Sequence, residues 1–196
     1  MMRQEQKSEV LDIARRIKVF FCDSDGVMFP KTVFMGAPYR AKYRSYYDGQ
    51  GVSLLRAVGI RVVFITNEKG ASADAIRETV EKFNSLPSSK PQNEDGWEPV
   101  VLYEGRGGTK KLETAQEFLV EHNFTLAESA YMGDDLVDVP LLQAVALSAA
   151  PAQAEKAIRD FVLFVAEREG GAGAIRDFAN MVLEARGVNP FTLPPQ

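Results

Sequence analysis

The chain has 196 residues, a length that fits one domain with room for a small insertion. Apolar residues make up 45% and charged residues 26%, and 23 basic against 27 acidic residues leave a net charge of −4, which argues against nucleic acid as a partner. One cysteine, Cys22, and one histidine, His122, exclude an intramolecular disulfide and any zinc-finger or His-rich metal site.

Residues 1–16 are charged throughout and carry no signal-like apolar core, and the chain holds no apolar run long enough for a membrane helix. A cytoplasmic protein without membrane contact is the expectation. Residues 17–22 (IKVFFC) are apolar, β-branched and aromatic, and they predict a buried strand. Residues 29–47, with Gly36 and Pro38 between β-prone runs, predict a hairpin. Residues 50–58 predict a helix closed by Gly59. Residues 60–65 (IRVVFI) repeat the strand pattern and end in Thr66-Asn67.

Residues 71–84 show apolar spacing of three and four and predict a helix, and 85–98 (SLPSSKPQNEDGWE) predict a loop. A strand at 99–103, a helix at 110–122, and strands at 129–132, 144–148 and 161–165 follow. A helix at 173–186 and an irregular tail at 188–196 close the chain. Continuous apolar strands alternating with helices predict a single α/β domain, a doubly wound, Rossmann-like parallel sheet with helices on both faces. In such folds ligands bind at the carboxyl ends of the strands.

Chemistry gathers at those ends. The first strand ends in Asp23-Ser24-Asp25-Gly26, the second in Thr66-Asn67, and the fourth in Gly133-Asp134-Asp135 with Asp138 one helical turn on; Lys110 and Lys111 open the helix after the third. So many carboxylates at one edge need a counter-charge. A set of hard oxygens favours Mg²⁺ over Zn²⁺. A cation, a lysine and paired aspartates suit a phosphoryl group. One aspartate can attack phosphorus while a second, two residues on, handles the proton.

The ordered set Asp23-x-Asp25-Gly26, Thr66, Lys111 and Gly133-Asp134-Asp135-x-x-Asp138 resembles the haloacid dehalogenase superfamily of phosphatases. The resemblance implies that Asp23 is nucleophile and metal ligand. It makes Asp25 the general acid/base and a ligand through its carbonyl, and Thr66 and Lys111 the phosphate-binding pair. Asp134 becomes the remaining protein ligand of Mg²⁺, with Asp135 and Asp138 supporting it. Lys110 is the rival to Lys111. The stretches between the motifs leave no room for a large cap domain.

The hairpin, Asp48-Gly49-Gln50-Gly51-Val52 and the run Gly170-Gly171-Ala172-Gly173-Ala174 with Arg176 resemble more narrowly the group of 3-deoxy-octulosonate 8-phosphate and nonulosonate (sialic-acid-type) 9-phosphate phosphatases. That likeness implies a homotetramer built around the hairpins, and a glycine-rich segment reaching toward a neighbour's site. After strand two, octulosonate enzymes resemble Thr-Gly-Arg and nonulosonate enzymes Thr-Gly-Glu-Lys. Thr66-Asn67-Glu68-Lys69 therefore leans to a nonulosonate 9-phosphate, with octulosonate 8-phosphate the alternative. Asn67, Glu68, Lys69 and Arg77 are the expected substrate contacts.

Blander readings compete at several places. A catalytically silent oligomerisation module of this fold keeps no need for so costly an acidic cluster. A phosphoacceptor receiver domain carries its aspartate after a middle strand. Cys22 reads as an inert buried thiol and His122 as a structural helix-end residue. Gly105-Arg106-Gly107-Gly108-Thr109-Lys110 reads as a flexible turn rather than a nucleotide loop. Trp97 and the tyrosines at 43, 46 and 47 read as hairpin packing or a subunit interface.

Overall fold

The computed structural model describes residues 4–36 and 39–193. Pro38 of the predicted hairpin and the last three residues of the tail lie outside them. A six-stranded parallel sheet has the order β5-β4-β1-β6-β7-β8. The strands are β1 (Val19–Cys22), β4 (Arg61–Ile65), β5 (Val101–Tyr103), β6 (Ser129–Met132), β7 (Leu147–Ala150) and β8 (Phe164–Val165). Each falls in or beside the segment expected for it. A separate antiparallel ribbon, β2 (Phe34–Gly36) and β3 (Tyr39–Ala41), is the hairpin, and no large cap covers the sheet edge.

Helices cover both faces, because each central strand alternates between two cores. Phe20 and Cys22 of β1 face one apolar cluster with α1 (Gln4–Ala14), α2 (Tyr46–Ala57), α3 (Asp74–Asn84) and α7 (Ala174–Arg186). Val19 and Phe21 face another with α4 (Thr109–Glu121), α5 (Val139–Ala144) and α6 (Lys156–Phe161). Phe20 stacks on Phe178 of α7 at 4.5 Å, and Phe21 meets Phe118 of α4 edge-on at 5.8 Å. The chain leaves β1 for β4 on one side and later returns to β6 on the other. That reversal opens a crevice at the carboxyl end of β1.

Three departures from the expected elements have local causes. The helix expected from residue 71 begins as a tight 3₁₀ turn over Gly70–Ala73. The loop at 85–98 is folded onto Arg56 of α2, whose guanidinium donates to the Phe83 and Glu98 carbonyls and to Ser89 Oγ. Trp97 lies against that guanidinium, 5.5 Å from ring centre, so it belongs to this loop and not to the hairpin. The glycine-rich run 170–174 does not reach outward. Gly171 N–H donates to the Val27 carbonyl and Gly170 N–H to Gln153 Oε1, all within the chain. It turns inward because Asp48, fully buried in α2, accepts from Gly173 N–H at 2.8 Å and Ile175 N–H at 2.9 Å, capping α7 from outside. Gly51 lets the two helices meet, since a Cβ there would stand 2.8 Å from the Arg176 amide nitrogen.

Burial raises Asp48 to about 6 from its ordinary 3.8, against the two amide donors that pull it down. Its contribution to stability is therefore complete below about pH 4 and is lost as pH rises through about 6. Asp48→Ala strands two buried donors and is expected to cost about 2 kcal/mol or more. Urea unfolding at several pH values checks this: the gap from the parent protein should be widest near pH 4 and narrow toward neutrality.

Candidate active site

Register brings the motifs to one edge. Cys22 pairs with Phe64 and with Met132, so Asp23, Thr66 and Asp134 all emerge at the carboxyl end of adjacent strands. The Asp23 N–H donates to the Met132 carbonyl, which ties the β1 and β6 loops together. Gly26 takes φ +89, and a Cβ there would overlap the Asp134 carboxylate; only glycine lets the two loops approach so closely.

The centre is a buried charge cluster. Lys111, 2% exposed, donates from Nζ to Asp23 Oδ2 at 2.9 Å, to Asp138 Oδ1 at 2.6 Å and to the Tyr131 hydroxyl at 3.1 Å. Helix phase selects it over Lys110: Lys111 shares the inward face of α4 with Thr114, Ala115 and Phe118, whereas Lys110 is exposed. Burial alone would depress Lys111, but Asp23 and Asp138 beside it hold it above the ordinary lysine value. Burial pushes Asp23 upward, partly offset by Lys111 and reinforced by Asp138. Asp23 Oδ1 accepts from the Ser24 N–H at 2.8 Å, which fixes the carboxylate plane.

Carboxylate oxygens of Asp23, Asp134 and Asp138 lie within 4.8 Å of one another. Hydrogen bonding separates their roles. Both Asp138 oxygens are spoken for: Oδ1 accepts from Lys111 and the Tyr131 hydroxyl, and Oδ2 from the Asp134 and Asp135 N–H groups. Asp138 therefore builds the loop and aims Lys111, as a supporting residue does. Asp23 and Asp134 remain as the candidate cation ligands, and their donor chemistry fits a hard divalent ion. The Lys31 ammonium already sits 2.8 Å from Asp134 Oδ2 and 2.5 Å from Asp135 Oδ2, so this edge attracts positive charge. Burial raises Asp134, while the Lys31 contact lowers Asp135.

Asp25 stands at the mouth, its Oδ1 2.6 Å from Lys42 Nζ. Thr66 is buried, and its Oγ1 accepts from the Glu68 N–H at 3.1 Å, shaping the loop after β4. A cleft of about 930 Å³ opens beside Asp25, walled by Lys31, Lys42, Glu68, Asp74 and Glu78 among others. Of the expected substrate contacts, Glu68 reaches this cleft. Asn67 lines a smaller hollow of about 280 Å³ with Lys110 and Val137. Lys69 is exposed outside the cleft wall, and Arg77 is turned aside into ion pairs with Glu104 and Asp74.

Lys31, Lys42 and Tyr131 had not been expected. Tyr131 carried a signal, a phenol inside a buried strand that needs a partner. The two lysines carried none, since only the fold-back of the hairpin stem brings them here. His122 is structural, stacked on Phe118 at 4.1 Å with Nδ1 2.9 Å from the Phe118 carbonyl. Cys22 is buried, and burial pushes its thiol far up.

No family model matches the chain. Among curated proteins, a 3-deoxy-D-manno-octulosonate 8-phosphate phosphatase of Yersinia pestis is 28% identical over 179 residues, covering 91% of this chain and 86% of the relative. Among solved structures, a Legionella pneumophila hydrolase of the HAD superfamily, subfamily III A, superposes with TM-score 0.80 at 29% identity, over 94% of this chain and 91% of that one. The cobalt-bound octulosonate 8-phosphate phosphatase from Haemophilus influenzae superposes with TM-score 0.74 at 25% identity, over 89% and 92%.

Fold, site and relatives together define a phosphatase of the haloacid dehalogenase superfamily. Within it the chain resembles the subfamily III A hydrolase and the octulosonate 8-phosphate phosphatases.

Proposed function

We propose that the chain is a Mg²⁺-dependent phosphatase of a 2-keto-3-deoxy sugar acid, with 3-deoxy-octulosonate 8-phosphate the first substrate to test. The observation that carries the reaction type is the buried Lys111 joined to Asp23 at the crevice, with Asp134 within reach of the same point. The names of the curated relatives carry the substrate.

In this reading Asp23 attacks phosphorus, an Asp23–phosphorus bond forms and the bond to the sugar oxygen breaks. Asp25 gives its proton to that leaving oxygen, then takes one from the water that attacks the aspartyl phosphate and frees inorganic phosphate. Lys111 and Thr66 hold phosphoryl oxygens. Mg²⁺ would be held by Asp23, Asp134 and the Asp25 carbonyl, and when bound it supplies charge neutralisation at the phosphoryl group.

Glu68 keeps a second substrate in view. It stands half-buried in the cleft wall, where a carboxylate can accept from sugar hydroxyls, as the nonulosonate reading requires. Lys69, the other half of that reading, lies outside the wall. Phosphate release with Mg²⁺ decides. Octulosonate 8-phosphate is expected to lead N-acetylneuraminate 9-phosphate and its deaminated analogue by about tenfold in kcat/KM, or about 1.4 kcal/mol. The reverse order restores the nonulosonate reading, and absence of turnover on all three sinks the sugar-acid assignment. The homotetramer is likewise proposed. Val33, Phe34 and Met35 on the hairpin, with Tyr43, Tyr46 and Tyr47, are exposed large apolar side chains that an assembly would cover, and light scattering should give a mass about four times that of one chain.

A further inference from the structure

The reaction leaves one hydroxyl at the centre of the site unused. Tyr131 is fully buried in β6, paired with Phe21 of β1 on one side and Ser148 of β7 on the other, and its ring belongs to the core under α4. An interior strand and a packed ring fix where its hydroxyl stands. That hydroxyl donates to Asp138 Oδ1 at 2.5 Å and accepts from Lys111 Nζ at 3.1 Å. Lys111 Nζ donates to the same Oδ1 at 2.6 Å. Two donors, one neutral and one charged, therefore compete for a single carboxylate oxygen.

The competition sets where the ammonium rests. Lys111 spans two carboxylates, Asp138 at 2.6 Å and Asp23 at 2.9 Å, and already leans toward Asp138. Asp138 cannot yield, because its Oδ2 accepts from the Asp134 and Asp135 N–H groups. The movable partner is the lysine, on its flexible four-carbon stem. Tyr131 limits its retreat in two ways. The phenol hydrogen bond takes up part of the negative charge on Oδ1, which weakens the pull on the ammonium. The hydroxyl oxygen also stands in contact with both groups, filling space into which the ammonium would otherwise settle. We propose that Tyr131 is a positioning residue: its hydroxyl keeps the Lys111 ammonium forward against Asp23, where it meets a phosphoryl group held at that carboxylate. The inference rests on the phosphatase reading above, in which Asp23 attacks phosphorus and Lys111 holds a phosphoryl oxygen. Tyr131 is sealed in the core and acts through Lys111 alone; it forms no bond to substrate and gains or loses no proton.

Tyr131→Phe tests this by removing the hydroxyl alone. The ring still fills the core and still faces the ammonium, which lies 5.8 Å from the Tyr131 ring centre. No buried group is stranded, since Asp138 Oδ1 keeps Lys111 and Lys111 keeps Asp23. The melting temperature should therefore fall by only a few degrees. With Mg²⁺ and the full chain, the Ki of inorganic phosphate as a competitive inhibitor is expected to rise about fivefold or more. kcat/KM should fall by a similar factor on the sugar phosphate that leads the panel and on p-nitrophenyl phosphate, because the phosphoryl group is common to both. Mg²⁺ affinity, measured by calorimetry, should stay within about twofold of the parent's, since Asp23 and Asp134 are untouched. A merely structural tyrosine would loosen the whole edge and weaken metal and phosphate together. Tyr131→Met, which also lacks the hydroxyl, gives the same comparison if Tyr131→Phe does not fold. An unchanged phosphate Ki, or parallel losses of phosphate and Mg²⁺ affinity, would overturn the positioning role while leaving the phosphatase standing. A parent protein that hydrolyses neither ester would bring down both.

Discussion

Asp23→Asn is expected to lower kcat by about a thousandfold or more while the protein still folds. The amide has the size of the carboxylate but cannot attack phosphorus. Around it the frame is redundant. Lys111 retains Asp138 and Tyr131, and the β1–β6 tie through the Asp23 N–H is a backbone bond. Two stability effects oppose each other. The ion pair with Lys111 is lost, but so is a carboxylate that burial already disfavours. Activity should therefore fall far more than the melting temperature. Phosphate release and thermal melts on the same preparations check both halves. Retention of more than about a tenth of the parent rate would remove Asp23 from the nucleophile's role, because no other side chain at the edge stands in its place. The silent-module alternative makes the contrary forecast, that Asp23→Asn changes nothing because nothing turns over.

The elements that proved easiest to read were those whose neighbours constrain them on both sides. β1, β4 and β6 lie in the sheet interior, so their sequences are apolar without alternation, and their ends mark the crevice. Asp23, Thr66 and Asp134 follow from that, because register in a parallel sheet carries position from one strand to the next. Lys111 was legible through its spacing and is reinforced by the phase of α4. α1 was missed because its inward face in the described residues is narrow, with Val10 and Ala14 buried amid charged neighbours. α5 and α6 span six residues each, too few for a helical period to declare itself. Lys31 and Lys42 escaped for a different reason. Lys31 meets partners 103 and 104 positions away in sequence, and Lys42 a partner 17 away across the hairpin, so nothing local marks either. The same holds for Arg56, whose carbonyl partner at Glu98 is 42 residues on. Composition identified that loop, but only the fold shows that a buried guanidinium organises it.

Lys111→Met carries the largest stability effect expected here. Removing the ammonium leaves Asp23 and Asp138 facing each other in a dry centre without a counter-charge. Breaking one side of such a buried network typically costs about 3–5 kcal/mol. Asp138 cannot turn away to water, because it is fully buried and its Oδ2 holds the Asp134 and Asp135 amides. Relief must come from a proton or from a cation. The proton route means the variant binds more protons folded than unfolded, so its stability should fall more steeply than the parent's as pH rises above the ordinary carboxylate range. The cation route means Mg²⁺ should raise the melting temperature of Lys111→Met more than that of the parent, since it restores charge where charge is missing. Adding Asp138→Asn to Lys111→Met should recover part of the stability but none of the activity, because the repulsion is relieved while the phosphate-binding ammonium stays absent. Denaturant unfolding with and without Mg²⁺ measures all of this. A Lys111→Met protein within about 1 kcal/mol of the parent in the metal-free state would mean that water or rearrangement compensates the carboxylates, and that Lys111 serves the phosphate alone.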